Sequence, residues 1–208
     1  MKKTVFNLIV VDESGSMSVI RKQALAGMNE TLQTIKELQK TSNGEIEQRV
    51  TLILFDSTHC TFALSNASVD HIRPMTMKDY NPCGATPLYD AIGRGISHIN
   101  AIASADDHVL VTIITDGMEN CSTEYSLSMI RNLIEKLKQQ NWTFTFIGTD
   151  NLDVESVAQS LNIDNSLAFQ ETEQGTQQMF AHELAARREY CRRVKDNEAM
   201  AEGDYFKF

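Results

Sequence analysis

Apolar positions along the chain follow two alternating patterns. Val5 to Val11 is apolar except at Asn7, the pattern of a strand covered on both faces. From Met17 the spacing changes. Met17, Ile20, Ala24, Met28, Leu32, Ile35 and Leu38 recur in steps of three and four, which predicts one face of a helix running to about Lys40. Ser42-Asn43-Gly44 breaks it. Val50, Leu52, Ile53, Leu54 and Phe55 predict a second strand over 49–55, Asp56 to His59 a turn, and Cys60, Phe62 and Leu64 an alternating second arm. The pair reads as a β-hairpin whose outer arm lies at a sheet edge.

Residues 66–86 show no strong period and contain Pro74, Pro82 and Gly84. They predict a long surface connection, and loops of that length in a compact domain are functional or disordered. Thr86-Pro87 predicts the cap and first residue of a second helix, with Leu88, Ile92, Ile96, Ile99 and Ile102 on its apolar face. Gly93 and Gly95 weaken that helix by about 1 kcal/mol each relative to Ala, and close packing against the sheet is the expected compensation. Val109 to Ile114 is the most strand-like stretch of the chain. Helices over 127–137, 154–161 and 175–194 then alternate with strands over 142–147 and 166–169. This order predicts an α/β fold, a doubly wound and mostly parallel sheet with helices on both faces and the hairpin arm antiparallel. A single domain over 1–194 would be followed by a tail over 195–208 in which acidic residues mix with Tyr205, Phe206 and Phe208, expected to be disordered or to pack locally.

Charge narrows the choice of partner. A net charge of −9 and a pI near 5.0 disfavour non-specific binding to nucleic acid or to an anionic membrane. The one basic cluster, Arg187, Arg188, Arg192, Arg193 and Lys195, sits at the end of the last helix, where it complements the helix dipole and can pair with Glu183, Glu189 and Glu198. Cys60, Cys83, Cys121 and Cys191 have no close-pair metal spacing and read as free thiols in a reducing compartment. The apolar start is cut short by Asp12 with no small-residue cleavage site behind it, and no run approaches the ~18 apolar residues of a membrane span. The expectation is a soluble cytoplasmic protein, a monomer or weak oligomer.

Candidate chemistry begins at Asp12-Glu13-Ser14-Gly15-Ser16, on the turn from the first strand into the first helix. Oxygen-bearing side chains at alternate positions suit a hard cation such as Mg²⁺. A serine capping the helix, with Asp12 favouring its positive end, accounts for the stretch equally well. Asp116 and Thr86 decide between the two. Asp116 follows the most strand-like stretch and Thr86 opens the second helix. If the two strands are neighbours at the switch point of the sheet, Asp12, Ser14, Ser16, Thr86 and Asp116 offer five oxygens, with water or a partner group completing a six-fold shell.

Asp12-Glu13-Ser14-Gly15-Ser16, with Thr86 and Thr115-Asp116-Gly117, resembles the metal-ion-dependent adhesion site (MIDAS) of von Willebrand factor A domains, over residues 4 to about 194. The chain looks most like the compact stand-alone bacterial and phage members. The resemblance implies a Rossmann-like three-layer sandwich with strand order 3-2-1-4-5-6. It also implies Ser14, Ser16 and Thr86 as hydroxyl ligands, and Asp12 and Asp116 as ligands directly or through water. The cation implied is Mg²⁺ or Mn²⁺, with Ca²⁺ a poorer fit, and the function is binding rather than catalysis: an Asp or Glu of a partner protein becomes the last ligand. Glu13, Asp90 and Glu119 would repel that acid. The connection bearing Tyr80, Pro82 and Cys83 and the loop from Met118 to Ser122 would frame the site. The alternative class is a Mg²⁺-dependent phosphatase-like hydrolase with Asp12 as nucleophile. Its usual second acid is replaced by Ser14, and no Lys is placed to stabilise charge.

Overall fold

The computed structural model describes residues 2–199 and 201–207. Among the described residues six strands form one sheet: β1 (Lys3–Asp12), β2 (Ile46–Phe55), β3 (Cys60–Ser68), β4 (His108–Thr115), β5 (Trp142–Thr149) and β6 (Asn165–Phe169). Their order is β3-β2-β1-β4-β5-β6. All neighbours run parallel except β2 and β3. The α-helices among the described residues are α1 (Arg21–Thr41), α2 (Leu88–Asn100), α3 (Leu127–Lys138), α4 (Val154–Ser160) and α5 (Glu173–Asp196). None of them is long and apolar enough to cross a membrane.

The apolar character of β1 from Val5 to Val11, interrupted only at Asn7, has a direct cause. Successive side chains point to opposite faces of a strand, and both faces are covered. Phe6, Leu8 and Val10 join α2, α3 and α4 in one core, while Ile9 and Val11 join α1 and the first half of α5 in the other. The two helix glycines were expected to pack on the sheet, and one does. A Cβ on Gly95 would lie 2.9 Å from Ile53 and 3.1 Å from Leu8, whereas one on Gly93 would meet the ring of Tyr125 instead.

Four expectations need correction. The first helix begins as a 3-10 turn, Gly15–Ile20, and becomes α-helical only at Arg21, because the backbone of this turn is also held to another loop. The hairpin arm continues past Leu64 to Ser68. Asn66, at positive φ, takes up a bulge there, donating its N–H to Thr51 and accepting from Arg49. Helix α2 stops at Asn100, so Ile102 lies beyond it and is exposed.

The fourth concerns the basic cluster. Arg187 is fully buried against the sheet, donating to Asn7 of β1 at 2.6 Å, Thr112 of β4 at 2.9 Å and Glu183 of its own helix at 2.9 Å. After α5 the chain returns to this group. Tyr205 is buried, its hydroxyl donating to Glu183 at 3.1 Å and its N–H to Asn165 at 3.0 Å. Of the rest of the cluster, Arg192 pairs with Glu189, Asp196 and Glu198 and Arg193 with Glu189, as expected, whereas Lys195 pairs with Glu45 and Arg188 donates to Thr34 at 3.4 Å.

Candidate metal centre

Strands β1 and β4 are adjacent and parallel, with Val11 level with Ile114. Asp12 therefore leaves the sheet beside Thr115, with Asp116 one residue further on, at the carboxyl ends where the strand order reverses. That is the crevice in which open α/β sheets bind ligands. The third contributor is held in place by backbone. Gly15 donates to the carbonyl of Gly84 at 3.1 Å and Cys83 to the carbonyl of Glu13 at 2.8 Å, which lays the segment before Thr86 against the Asp12–Ser16 turn. Gly84 has φ +69° and any Cβ there would strike Ser57, so only glycine fits this crossing.

All five predicted oxygen donors come together. Ser14 and Ser16 hydroxyls lie 3.2 Å apart, and Ser16 donates to Asp116 Oδ1 at 2.8 Å. Gly117 sits between the remaining two, since a Cβ on it would be 3.1 Å from Thr86 Oγ1 and 3.9 Å from Asp12 Oδ2. Ser14 makes no side-chain cap bond to the turn that follows, and Thr86 makes none to α2, which takes Pro87 as its cap residue. The capping explanation of these hydroxyls is therefore set aside. Asp12, Ser14, Thr86 and Asp116 are buried, while Ser16 is open to solvent.

The carboxylates are under electrostatic stress. Burial raises the Asp12 pKa, opposed by donors from Thr115 and Ser14. Burial also pushes Asp116 up to about 6, against the bond from Ser16 and reinforced by the charges of Asp12 and Glu171. Asp116 Oδ2 is buried with no hydrogen-bond partner among the described residues. A buried acceptor left unpaired costs free energy. Two carboxylates and three hydroxyls, with no nitrogen or sulfur, form the donor set of a hard divalent cation. The residues present fit such an ion.

Several supporting residues have roles that the sequence did not assign. Thr115, named in the Thr115-Asp116-Gly117 motif without a role, donates to Asp12 Oδ2 at 2.6 Å and fixes that carboxylate. Asn120 brackets Thr86, its side chain accepting from the Thr86 N–H at 2.9 Å and its N–H donating to the Thr86 carbonyl at 3.2 Å. Tyr80, expected on the rim, is instead a buried strut whose hydroxyl donates to the Asp12 carbonyl at 2.8 Å. The three acids expected to repel an acidic ligand are committed to the loops. Glu13 is buried, holding the Asn81 N–H and lying 3.1 Å from His59. Asp90 accepts from the N–H groups of Thr123, Glu124 and Tyr125, and Glu119 from those of Tyr89, Cys121 and Ser122.

A doubly wound sheet with a cluster of carboxylate and hydroxyl oxygens at its switch point defines the class of domain. The von Willebrand factor type A domain model matches residues 8–183, and the chain belongs to that family. The comparison with curated proteins found no match in sequence. Solved structures are similar in fold at low identity. The vWF domain of the type V pili tip protein Mfa5 from Porphyromonas gingivalis superposes with a TM-score of 0.65 at 11% identity, covering 97% of this chain and 98% of that one. The PilB minor pilin from Streptococcus sanguinis gives 0.58 at 14%, covering 96% of this chain and 63% of that one. Proximal thread matrix protein 1 from the mussel byssus, in a structure with a zinc-occupied MIDAS motif, gives 0.57 at 14%, covering 89% of this chain and 48% of that one. The chain thus spans less than two thirds of the pilin and of the byssus protein.

Proposed function

We propose that this domain holds a divalent cation with Asp12, Ser14, Ser16, Thr86 and Asp116 and uses it to bind an Asp or Glu side chain of a partner protein. The observation that carries the reading is Asp116 Oδ2, buried and without a hydrogen-bond partner among the described residues, on a carboxylate whose other oxygen is joined to the Ser14–Ser16 pair. When bound, the cation would supply positive charge that two carboxylates and three neutral hydroxyls leave incompletely neutralised. The chain's own part is to hold those oxygens at the end of a rigid sheet and leave one side open at Ser16. Mg²⁺ and Mn²⁺ suit an all-oxygen set best. The zinc in the MIDAS of the byssus protein makes Zn²⁺ a necessary comparison.

Binding rather than hydrolysis is supported by the make-up of the centre, where Ser14 stands in the place of the second acid that a phosphatase of this kind uses. The test is titration calorimetry and thermal unfolding with Mg²⁺, Mn²⁺, Ca²⁺, Zn²⁺ and chelator. A cation at a hundred times its Kd should stabilise the wild type by about 2.7 kcal/mol, and Asp116→Asn and Thr86→Ala should abolish or greatly weaken that response. No cation response in the wild type would sink the proposal. Phosphatase turnover that disappears in Asp12→Asn would establish the hydrolase instead.

A further inference from the structure

Two places in the chain set a glycine directly after an asparagine or an aspartate, Asn43-Gly44 and Asp116-Gly117. With no Cβ in the way, the glycine nitrogen can attack the side-chain carbonyl carbon of the residue before it. The reaction requires that the glycine N–H be free of hydrogen bonds, that the side chain be unheld and that the backbone be able to bend. The two steps have the same sequence chemistry, and the fold separates them.

Asp116-Gly117 is locked. Gly117 donates its N–H to Thr115 Oγ1 at 3.1 Å, Asp116 is buried, and Ser16 donates to Asp116 Oδ1 at 2.8 Å. Asn43-Gly44 is open. It lies in the turn between α1 and β2, with both residues exposed and both at positive φ, 51° and 82°. Among the described residues neither the Gly44 N–H nor the Asn43 side chain has a hydrogen-bond partner. No atom lies within 4 Å of the position a Gly44 Cβ would take.

We propose that Asn43 is a site of spontaneous deamidation. The Gly44 nitrogen attacks Asn43 Cγ, a C–N bond forms as the Cγ–Nδ2 bond breaks, and ammonia leaves with the proton from the Gly44 N–H. Water then opens the succinimide ring at one carbonyl or the other. One product is aspartate at position 43 with the chain path unchanged. The other is isoaspartate, whose backbone runs through the side chain and is one atom longer. That extra atom falls inside the turn that Glu45 closes, its N–H donating to the Ser42 carbonyl at 3.0 Å and its carbonyl accepting from Lys3 at 2.9 Å. The change therefore loosens the start of β2, at the end of the sheet opposite the metal centre.

The test is incubation of the full chain at mildly alkaline pH, folded in buffer and unfolded in guanidinium chloride, followed by tryptic digestion. Isoaspartate is measured with a protein isoaspartyl methyltransferase in peptide 41–49, which holds Asn43, and in peptide 95–131, which holds Asp116. An exposed turn opens at almost no free-energy cost, so folding should slow the reaction in peptide 41–49 by less than about tenfold. A buried, bonded step opens only with the structure around it, so folding should slow peptide 95–131 by more than about tenfold. Asn43→Gln should abolish the product in the first peptide and leave the second unchanged. In aged wild type the Glu45 amide should exchange its hydrogen faster than in fresh protein. Slowing of peptide 41–49 by more than tenfold on folding, or slowing of peptide 95–131 by less, overturns the inference, as does isoaspartate in peptide 41–49 that survives Asn43→Gln.

Discussion

Asp116 carries a charge that the fold alone does not compensate, and this gives the single residue a measurable signature. Its folded pKa, near 6, lies above the ordinary value of 3.8, so the native state binds a proton more tightly than the unfolded chain does. The metal-free domain therefore loses stability from this group as pH rises from about 4 to about 6, by roughly 1–2 kcal/mol after solvent screening. A neutral side chain of the same shape removes that penalty. Asp116→Asn should raise the stability of metal-free protein above pH 6 by about 1–2 kcal/mol and flatten the pH dependence in that window, while losing the response to cation. Urea denaturation in chelator at several pH values measures both, and a variant less stable than the wild type throughout would contradict the stress assigned to this carboxylate. At this scale the sequence was informative wherever chemistry followed spacing. Asp12, Ser14, Ser16, Thr86 and Asp116 stood out because five oxygens recurred at strand ends and a helix start. The roles of Thr115, Asn120 and Tyr80 were not legible, because what they do depends on a neighbour brought close only by folding.

At the scale of elements, α5 is joined to the sheet by charge as well as by apolar packing. Arg187 and Glu183 are both buried, and they connect α5 to β1, β4 and Tyr205. Removing one partner of such a pair leaves the other charge buried and alone, so Arg187→Met should destabilise the domain by about 3–5 kcal/mol. Adding Glu183→Leu to it should recover a large part of the loss, giving a non-additive double-mutant cycle read from denaturant midpoints. Equal and additive losses would mean that the pair acts only by filling space. The periodicity of α5 was plain, but the burial of Arg187 was not. A basic residue beside Arg188 and near Arg192 looks like one more surface charge. It is Asn7, the one polar residue inside the run of β1, and Thr112 in β4 that receive it. The elements themselves followed from period 2 against period 3.6. The 3-10 start of the first helix and the extra length of β3 did not, because hydrogen bonds between segments distant in sequence or across strands determine them.

At the scale of the whole molecule, the alternation of strands and helices was enough to predict a doubly wound sheet, and the strand order came from the resemblance carried by the Asp-x-Ser-x-Ser turn. The return of the chain after α5 to bury Tyr205 was not legible, since a short run of acidic and aromatic residues has no period to read.

The candidate centre is assembled from three segments, and the bond that joins Ser16 to Asp116 spans 100 residues. Closing so long a separation is slow, and no partial fold made of the first hairpin and helix contains the complete set of oxygens. A cation bound there would act as a clasp that closes last. Its stabilisation should thus appear almost wholly in the rate of unfolding: each 1.4 kcal/mol of binding lengthens the native lifetime about tenfold and leaves the rate of refolding nearly unchanged. Stopped-flow chevrons with and without Mg²⁺ would show it, and a faster refolding arm in Mg²⁺ would mean that the site forms early. On this view a metal would govern how long the domain persists once made, and its withdrawal would shorten that time without altering how readily the domain forms.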